Sequence, residues 1–279
     1  MSRQPPVQQP PPVQKLLVQY GKTGPGRFAS HRDFARVFER ALRRAGLPMA
    51  YSSGFSPHPR VSYVNPAATG AASQAEYLVI GLAQAQEPAT VLAELAAVMP
   101  AGFPLFEVSP LTGDVRFEAS RWQLAWPGAE PAELASAIAR FGRASAIEVS
   151  RQTKPESTDA ARRERYPGGA LAAPATRRQT GGLGSVAGAA SVPPGGSAAA
   201  HDRWIRAKDG WRRFEVKSAV SAMDLVGPTD RADPLGPTLM VVIQHGQPLV
   251  RPDDVAAALR AVAPRLPSAA PLATRLAQL

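Results

Sequence analysis

The sequence predicts an α+β fold made of two ferredoxin-like (βαββαβ) halves in tandem, the second interrupted by a disordered insertion. Three observations predict it. Strand and helix signals follow the order strand, helix, strand, strand, helix, strand over residues 14–112. The order begins again at residue 118, as a repeat of element types and not of residue identities. Residues 155–203, rich in Gly, Ala, Pro, Ser and Arg, then break the second run without any hydrophobic period. The expected organisation is a disordered Pro-rich tail at 1–13, an N-terminal domain at 14–112, a C-terminal domain at 118–265 carrying the insertion, and a C-terminal tail at 266–279.

The elements can be justified in turn. Lys15–Tyr20 (KLLVQY) reads as a strand and runs into the loop Gly21–Phe28 (GKTGPGRF). Ser30 followed by Asp33 resembles a capping box with Asp in the Glu position. Phe34, Val37, Phe38, Ala41, Leu42 and Ala45 then recur at helical spacing, and Gly46 and Pro48 supply stop signals, so residues 31–45 are expected to form a helix. Tyr51–Arg60 (YSSGFSPHPR) is turn-rich. Val61–Val64 and Glu76–Leu82 read as strands, Ala89–Met99 as a helix, and Phe103–Ser109 as a strand. In the second run, Arg121–Trp126 reads as a strand, Pro131–Phe141 as a helix, and Ala146–Arg151 as a strand. Regular structure resumes at Trp211–Val220, Thr238–Gln244 (TLMVVIQ) is a strand, and Pro252, Asp253 and Asp254 open a helix running to about Val262 with acids in its first turn.

The chain has 279 residues, no cysteine, 44% hydrophobic residues and a formal net charge of +10. Without cysteine it has no disulfide, no thiol nucleophile, no Cys-ligated zinc and no self-held iron–sulfur cluster. Met1–Pro12 has no apolar segment of the secretory type, and no apolar run reaches the roughly 20 residues of a membrane span, so a soluble cytoplasmic protein is expected, with no membrane partner. The charge is segmental: residues 1–60 carry +8, residues 61–146 carry −4, residues 147–217 carry +6, and the remainder balances. Such separation points to a localised anion-facing surface.

The candidate site gathers residues from two glycine-containing loops: Lys22, Thr23, Arg27, Ser30, His31 and Arg32, with Ser53, Phe55, Ser56, His58 and Arg60. If both loops meet at one end of the sheet, Lys22, Arg27 and Arg60 can pair with phosphates and Phe55 can stack on a base. The bland reading is that the glycines make turns and the cations solvate the surface. The helix at 31–45 also carries Arg32, Arg36, Arg40, Arg43 and Arg44, most of them on one stripe, suited to a nucleic-acid backbone or to an acidic partner, though arginine is also an ordinary exposed helix former. Arg151 and Lys154 extend the basic set, followed by Arg162, Arg163 and Arg165. His31 and His58 are the candidate catalytic residues, as a general acid/base pair; the plainer alternative is that each only hydrogen-bonds locally. No metal-ligand spacing is present, no metal or cofactor is expected, and GKTGPG lacks the spacing of a nucleotide-hydrolysing phosphate loop.

The run Gly21–Leu78 resembles the radical SAM-linked proteins, a bacterial family of unknown function. The matching pieces are K-T-G at Lys22–Gly24, R-F at Arg27–Phe28, S-H-x-D at Ser30–Asp33, V-F-E-R-A-L-R-R-A-G-L-P at Val37–Pro48, G-F-S-P-H-P-R at Gly54–Arg60, and E-Y-L at Glu76–Leu78. The resemblance spans about residues 14–265 outside the insertion, more diffusely after Arg151. It implies an accessory role beside a radical SAM protein. The iron–sulfur cluster and S-adenosylmethionine would belong to that partner, because this chain lacks the C-x-x-x-C-x-x-C motif. The resemblance implies no catalytic residue.

The leading expectation is a non-catalytic accessory protein of a radical SAM enzyme that binds structured RNA, tRNA or rRNA, through its basic N-terminal surface. One alternative is a protein-interaction module that docks the radical SAM partner without RNA. The other is a metal-independent endoribonuclease. The tandem arrangement is also similar to that of RNA-binding and CRISPR repeat-processing endoribonucleases, a likeness of fold alone.

Overall fold

The computed structural model describes residues 8–152, 205–206, 211–226 and 235–279. The chain divides into two compact units, Met1–Val149 with Glu215–Leu279, and Ser150–Phe214. The expected insertion at 155–203 and Lys154 lie outside the described residues.

The first unit is built on one large mixed sheet with four α-helices among the described residues, an α+β architecture. Its first run is β1 (Gln14–Lys22), α1 (His31–Arg44), β2 (Val61–Val64), β3 (Ala72–Leu82), α2 (Pro88–Ala96) and β4 (Leu105–Pro110). Strand β1 pairs antiparallel with β3 and β4, and β2 pairs antiparallel with β3. The apolar face of α1 explains its docking. Phe34, Phe38, Ala41 and Leu42 are buried, against a core that includes Leu16, Val18 and Tyr20 of β1, Leu78, Ile80 and Leu82 of β3, and Val91 and Leu95 of α2. The Phe34 ring stacks on Tyr20 at 4.4 Å between centroids. Ser30 caps the helix: its hydroxyl oxygen accepts from Asp33 N at 3.2 Å and its hydroxyl donates to Asp33 Oδ2 at 2.6 Å. Gly46, at φ +67°, turns the chain out of the helix.

The second run of the first unit is β5 (Ala119–Ala125), α3 (Pro131–Arg143), β9 (Val220–Val226), β10 (Thr238–Gln244), α4 (Pro252–Val262) and β11 (Leu272–Gln278), while β6 (Glu148–Gln152), β7 (Ile205–Arg206) and β8 (Trp211–Glu215) fall mostly within the second unit. Strand β5 lies between β11 and β10, and β9 lies outside β10, all antiparallel. Leu124, Leu239, Val241, Leu134, Phe141, Val255 and Leu259 are among its buried residues. The two runs join through a short parallel pairing of β11 with β3, at Thr274 with Ala72 and Arg275 with Ser73.

Three expectations change. Residues 266–279 were expected to be a tail, but Leu272–Gln278 is a strand inside the sheet, paired on both sides. Its buried Arg275 interrupts the apolar alternation, and Pro264, Pro267 and Pro271 ahead of it read as loop. The strand near 146–151 belongs to a three-stranded sheet of order β6-β8-β7, and β9 occupies the place beside β10. Adjacent strands in sequence pair readily, and the mostly exposed EVSRQ has little apolar surface to bury in the large sheet. Within 1–13, Gln9 N donates to Ser53 Oγ at 3.0 Å and Val13 N donates to Leu82 O at 2.8 Å, so this stretch is anchored at two points.

Candidate nucleic-acid interface

Once the apolar face of α1 is buried, the rest of the helix must face solvent. Arg32, Arg36, Arg40, Arg43 and Arg44 are all exposed. At 1.5 Å per residue, Arg32 to Arg44 covers about 18 Å of helix. The acids on this helix are Asp33 and Glu39. Asp33 is held below the usual carboxylate range, first by the Ser30 hydroxyl and further by Arg36 and Arg32.

The loop before α1 lies at one end of the sheet. Lys22 ends β1 and is buried, with Nζ 3.5 Å from Ala67 O. Burial pushes its pKa down and nearby Arg275 adds to this, while Glu76 opposes them. Thr23 N donates to Gly102 O at 3.0 Å. Arg27 Nε donates to Gly70 O at 2.6 Å, and Gly70 N donates back to Arg27 O at 2.8 Å.

The segment after α1 lies at the other end. Arg60 Nε donates to Tyr51 O at 3.0 Å, and His58 N donates to Ser52 Oγ at 3.0 Å. Phe55 is 71% exposed, and Ser53 and Ser56 are exposed beside it. Lys22 pairs with Ser73 at the start of β3, whereas Arg60 O accepts from Gly81 N near its end. Eight strand residues separate the two positions, about 27 Å. The expected convergence of Lys22 and Arg27 with Phe55, His58 and Arg60 therefore does not occur. The reason is topological: the chain enters α1 at one end of the sheet and leaves it at the other. His31 opens α1 and His58 lies in the turn-rich loop, and among the described residues no hydrogen bond or ring contact joins the two. His31 stands edge-on to Tyr63 at 4.5 Å between centroids. Arg151 lies in the second unit with its guanidinium 4.9 Å from the Phe214 ring centroid.

The structure also reveals a cavity of about 440 Å³ within the first unit. It is framed by the segment after β2, by β5, by the connection from β10 into α4 and by the run into β11. Below it lies Arg275, 2% exposed, ion-paired with the fully buried Glu76. Arg275 Nη1 donates to Asn65 O at 2.8 Å and its Nε reaches Ser73 Oγ at 3.4 Å. Glu76 Oε2 accepts from Ala67 N at 3.0 Å, so the ion pair also holds the cavity's 65–71 rim. On one wall, His245 Nδ1 lies 2.8 Å from Phe117 O. A carbonyl only accepts, so Nδ1 carries the proton and Nε2 accepts, from the Ser120 hydroxyl at 2.6 Å and from Asn65 Nδ2 at 3.2 Å. Asn65, at φ +44°, also donates to Gln278 Oε1 at 3.2 Å. Chemically, this is a hydroxyl and an imidazole in hydrogen-bond contact, tied into a network spanning β5, β11 and the chain after β2 and β10. Nothing in the local sequence marks these residues as neighbours. The legible signals were a charge in each of two apolar strands, Glu76 opening EYLVIGL and Arg275 within LATRLAQ.

Among the described residues no three His, Asp or Glu side chains form a metal-holding group, and no helix is long and apolar enough to cross a membrane. The first unit thus carries an exposed arginine helix and a partly apolar cavity on an α+β scaffold. The chain belongs to the family described as uncharacterized protein conserved in bacteria (DUF2344), whose match covers residues 15–165. No curated protein matches the chain.

Proposed function

We propose that this protein is a non-catalytic accessory factor that binds structured RNA through the exposed arginine face of α1. The observation that carries the reading is that one helix buries its apolar face in the core and leaves five arginines on the solvent side. Guanidinium groups suit phosphate because they donate in a fixed fork and stay charged at any working pH. The two antiparallel strand sets of the large sheet, each with its pair of helices, are read as ferredoxin-like halves. The radical SAM partner rests on the sequence resemblance alone, and in this reading α1 faces RNA rather than that partner.

The test is fluorescence anisotropy of labelled tRNA and rRNA fragments against the full chain at increasing KCl. Three phosphate contacts would give a log–log slope of about −2 to −3. A flat dependence would refute phosphate recognition.

A further inference from the structure

From the cavity of the first unit we infer a second, distinct element of recognition: a pocket for a single nucleotide, entered by an unpaired or terminal residue of the RNA held on α1. The inference rests on the RNA reading for its source of ligand, and the pocket's chemistry stands on its own geometry.

The volume, about 440 Å³, falls within the range that small organic ligands occupy. The lining divides into two chemistries. One part is apolar, with Trp122, Ile243, Leu249 and Pro271. The other is cationic, with Arg27, Arg251 and Arg275, against Asp253 as the acid on the lining. Arg275 is already neutralised by Glu76, and the buried Lys22 lies close to that pair. Arg27 is the group poised to act. Its reciprocal backbone and side-chain bonds with Gly70 fix it at the rim, and only Nε is used. Among the described residues its two terminal amino groups have no hydrogen-bond partner, which leaves their four N–H donors for an anion. A ligand with a flat, weakly polar body and a phosphate matches this division; an inorganic anion would leave the apolar part empty. The polar groups able to read a base edge, Asn65 and His245, are already paired with Gln278, Ser120 and Phe117, so the phosphate carries the affinity and base identity contributes little.

The position also fits. Arg27 lies three residues before the Ser30 cap of α1, so the rim of the cavity adjoins the start of the arginine helix. A backbone laid along α1 delivers its next nucleotide at that rim.

The experiment titrates the full chain with a nucleoside 5′-monophosphate, with the uncharged nucleoside and with inorganic phosphate, by calorimetry and tryptophan fluorescence. The same chain is titrated separately with RNA. The monophosphate is expected to bind saturably, at least about tenfold tighter than either fragment. Arg27→Ala is expected to weaken it at least about tenfold, the scale of one charge-assisted hydrogen bond. Leu249→Asp, at a position 41% exposed and so tolerant of substitution, is expected to weaken it comparably by placing an anion at the apolar side. Salt-dependent RNA binding without saturable monophosphate binding overturns the pocket and leaves the α1 reading standing. Monophosphate binding without RNA binding supports the pocket and overturns the α1 reading. Equal affinity for inorganic phosphate and monophosphate overturns the nucleotide assignment, because the apolar part would then contribute nothing.

Discussion

Replacing Arg275 with Met tests how β11 is held beside β3. Arg275 and Glu76 are 2% and 0% exposed, and their pairing links strands 199 residues apart. Removing one partner of a buried ion pair typically costs about 3–5 kcal/mol, because the other charge stays behind without compensation. Here the stranded Glu76 would keep the Ala67 N–H and the nearby Lys22 ammonium, which places Arg275→Met at the lower end, about 3 kcal/mol. Glu76→Gln is expected to cost more, about 4–5 kcal/mol, because it leaves Arg275 and Lys22 buried together with no carboxylate between them. The double variant Glu76→Leu with Arg275→Met should cost less than the sum of the single changes, since neither charge is then left alone. The assay is equilibrium urea unfolding followed by circular dichroism and tryptophan fluorescence. With a slope of about 2–3 kcal/mol per molar urea, Arg275→Met should lower the midpoint by about 1 M or more. A loss of under about 0.5 kcal/mol would show that the pair is solvated in the folded protein and would refute the argument.

Three further changes have expected outcomes. Ser30→Ala removes the cap of α1 and should cost about 1 kcal/mol in the same urea assay, with the helix still formed. Gly26→Ala places a Cβ 2.3 Å from Gly102 O, a backbone atom that cannot swing aside, so a clear fall in thermal midpoint is expected, whereas Gly142→Ala, with open space around it, should not lower it. Tyr20 is buried beside Glu76, and burial first, then that carboxylate, push its pKa above the ordinary value of 10.0. The folded state therefore keeps a proton that the unfolded chain loses, and stability should fall above pH 10 by roughly 1.4 kcal/mol per pH unit until the folded phenol itself ionises. Unfolding midpoints measured between pH 9 and 11 should show that Tyr20→Phe removes this share of the slope.

The parts of the fold that were legible in the sequence are those where period and punctuation agree. For α1, the spacing from Phe34 to Ala45, the Ser30 cap and Gly46 all point to one helix, and His31–Arg44 forms it. Thr238–Gln244 and Pro252–Val262 were legible for the same reason. Strand β11 was not, because a single arginine whose partner lies 199 residues away looks like a surface charge until Glu76 is placed beside it. The candidate site was legible in part. The arginine stripe follows from helical spacing alone, but the gathering of two loops around a helix cannot be read without knowing which end of the sheet each occupies. The cavity was opaque for a related reason: Asn65, Ser120 and His245 meet only after four separate strand pairings have formed.

Photo-cross-linking tests the central claim most directly. RNA carrying photoreactive uridine would be bound to the full chain and irradiated, and the attached peptides mapped by mass spectrometry. Attachment is expected within residues 27–44, with a second group of sites in the segments at 65–71 and 245–252 that border the cavity. Attachment confined to the loop at 51–60, or lying wholly outside α1 and the cavity rim, would contradict the account.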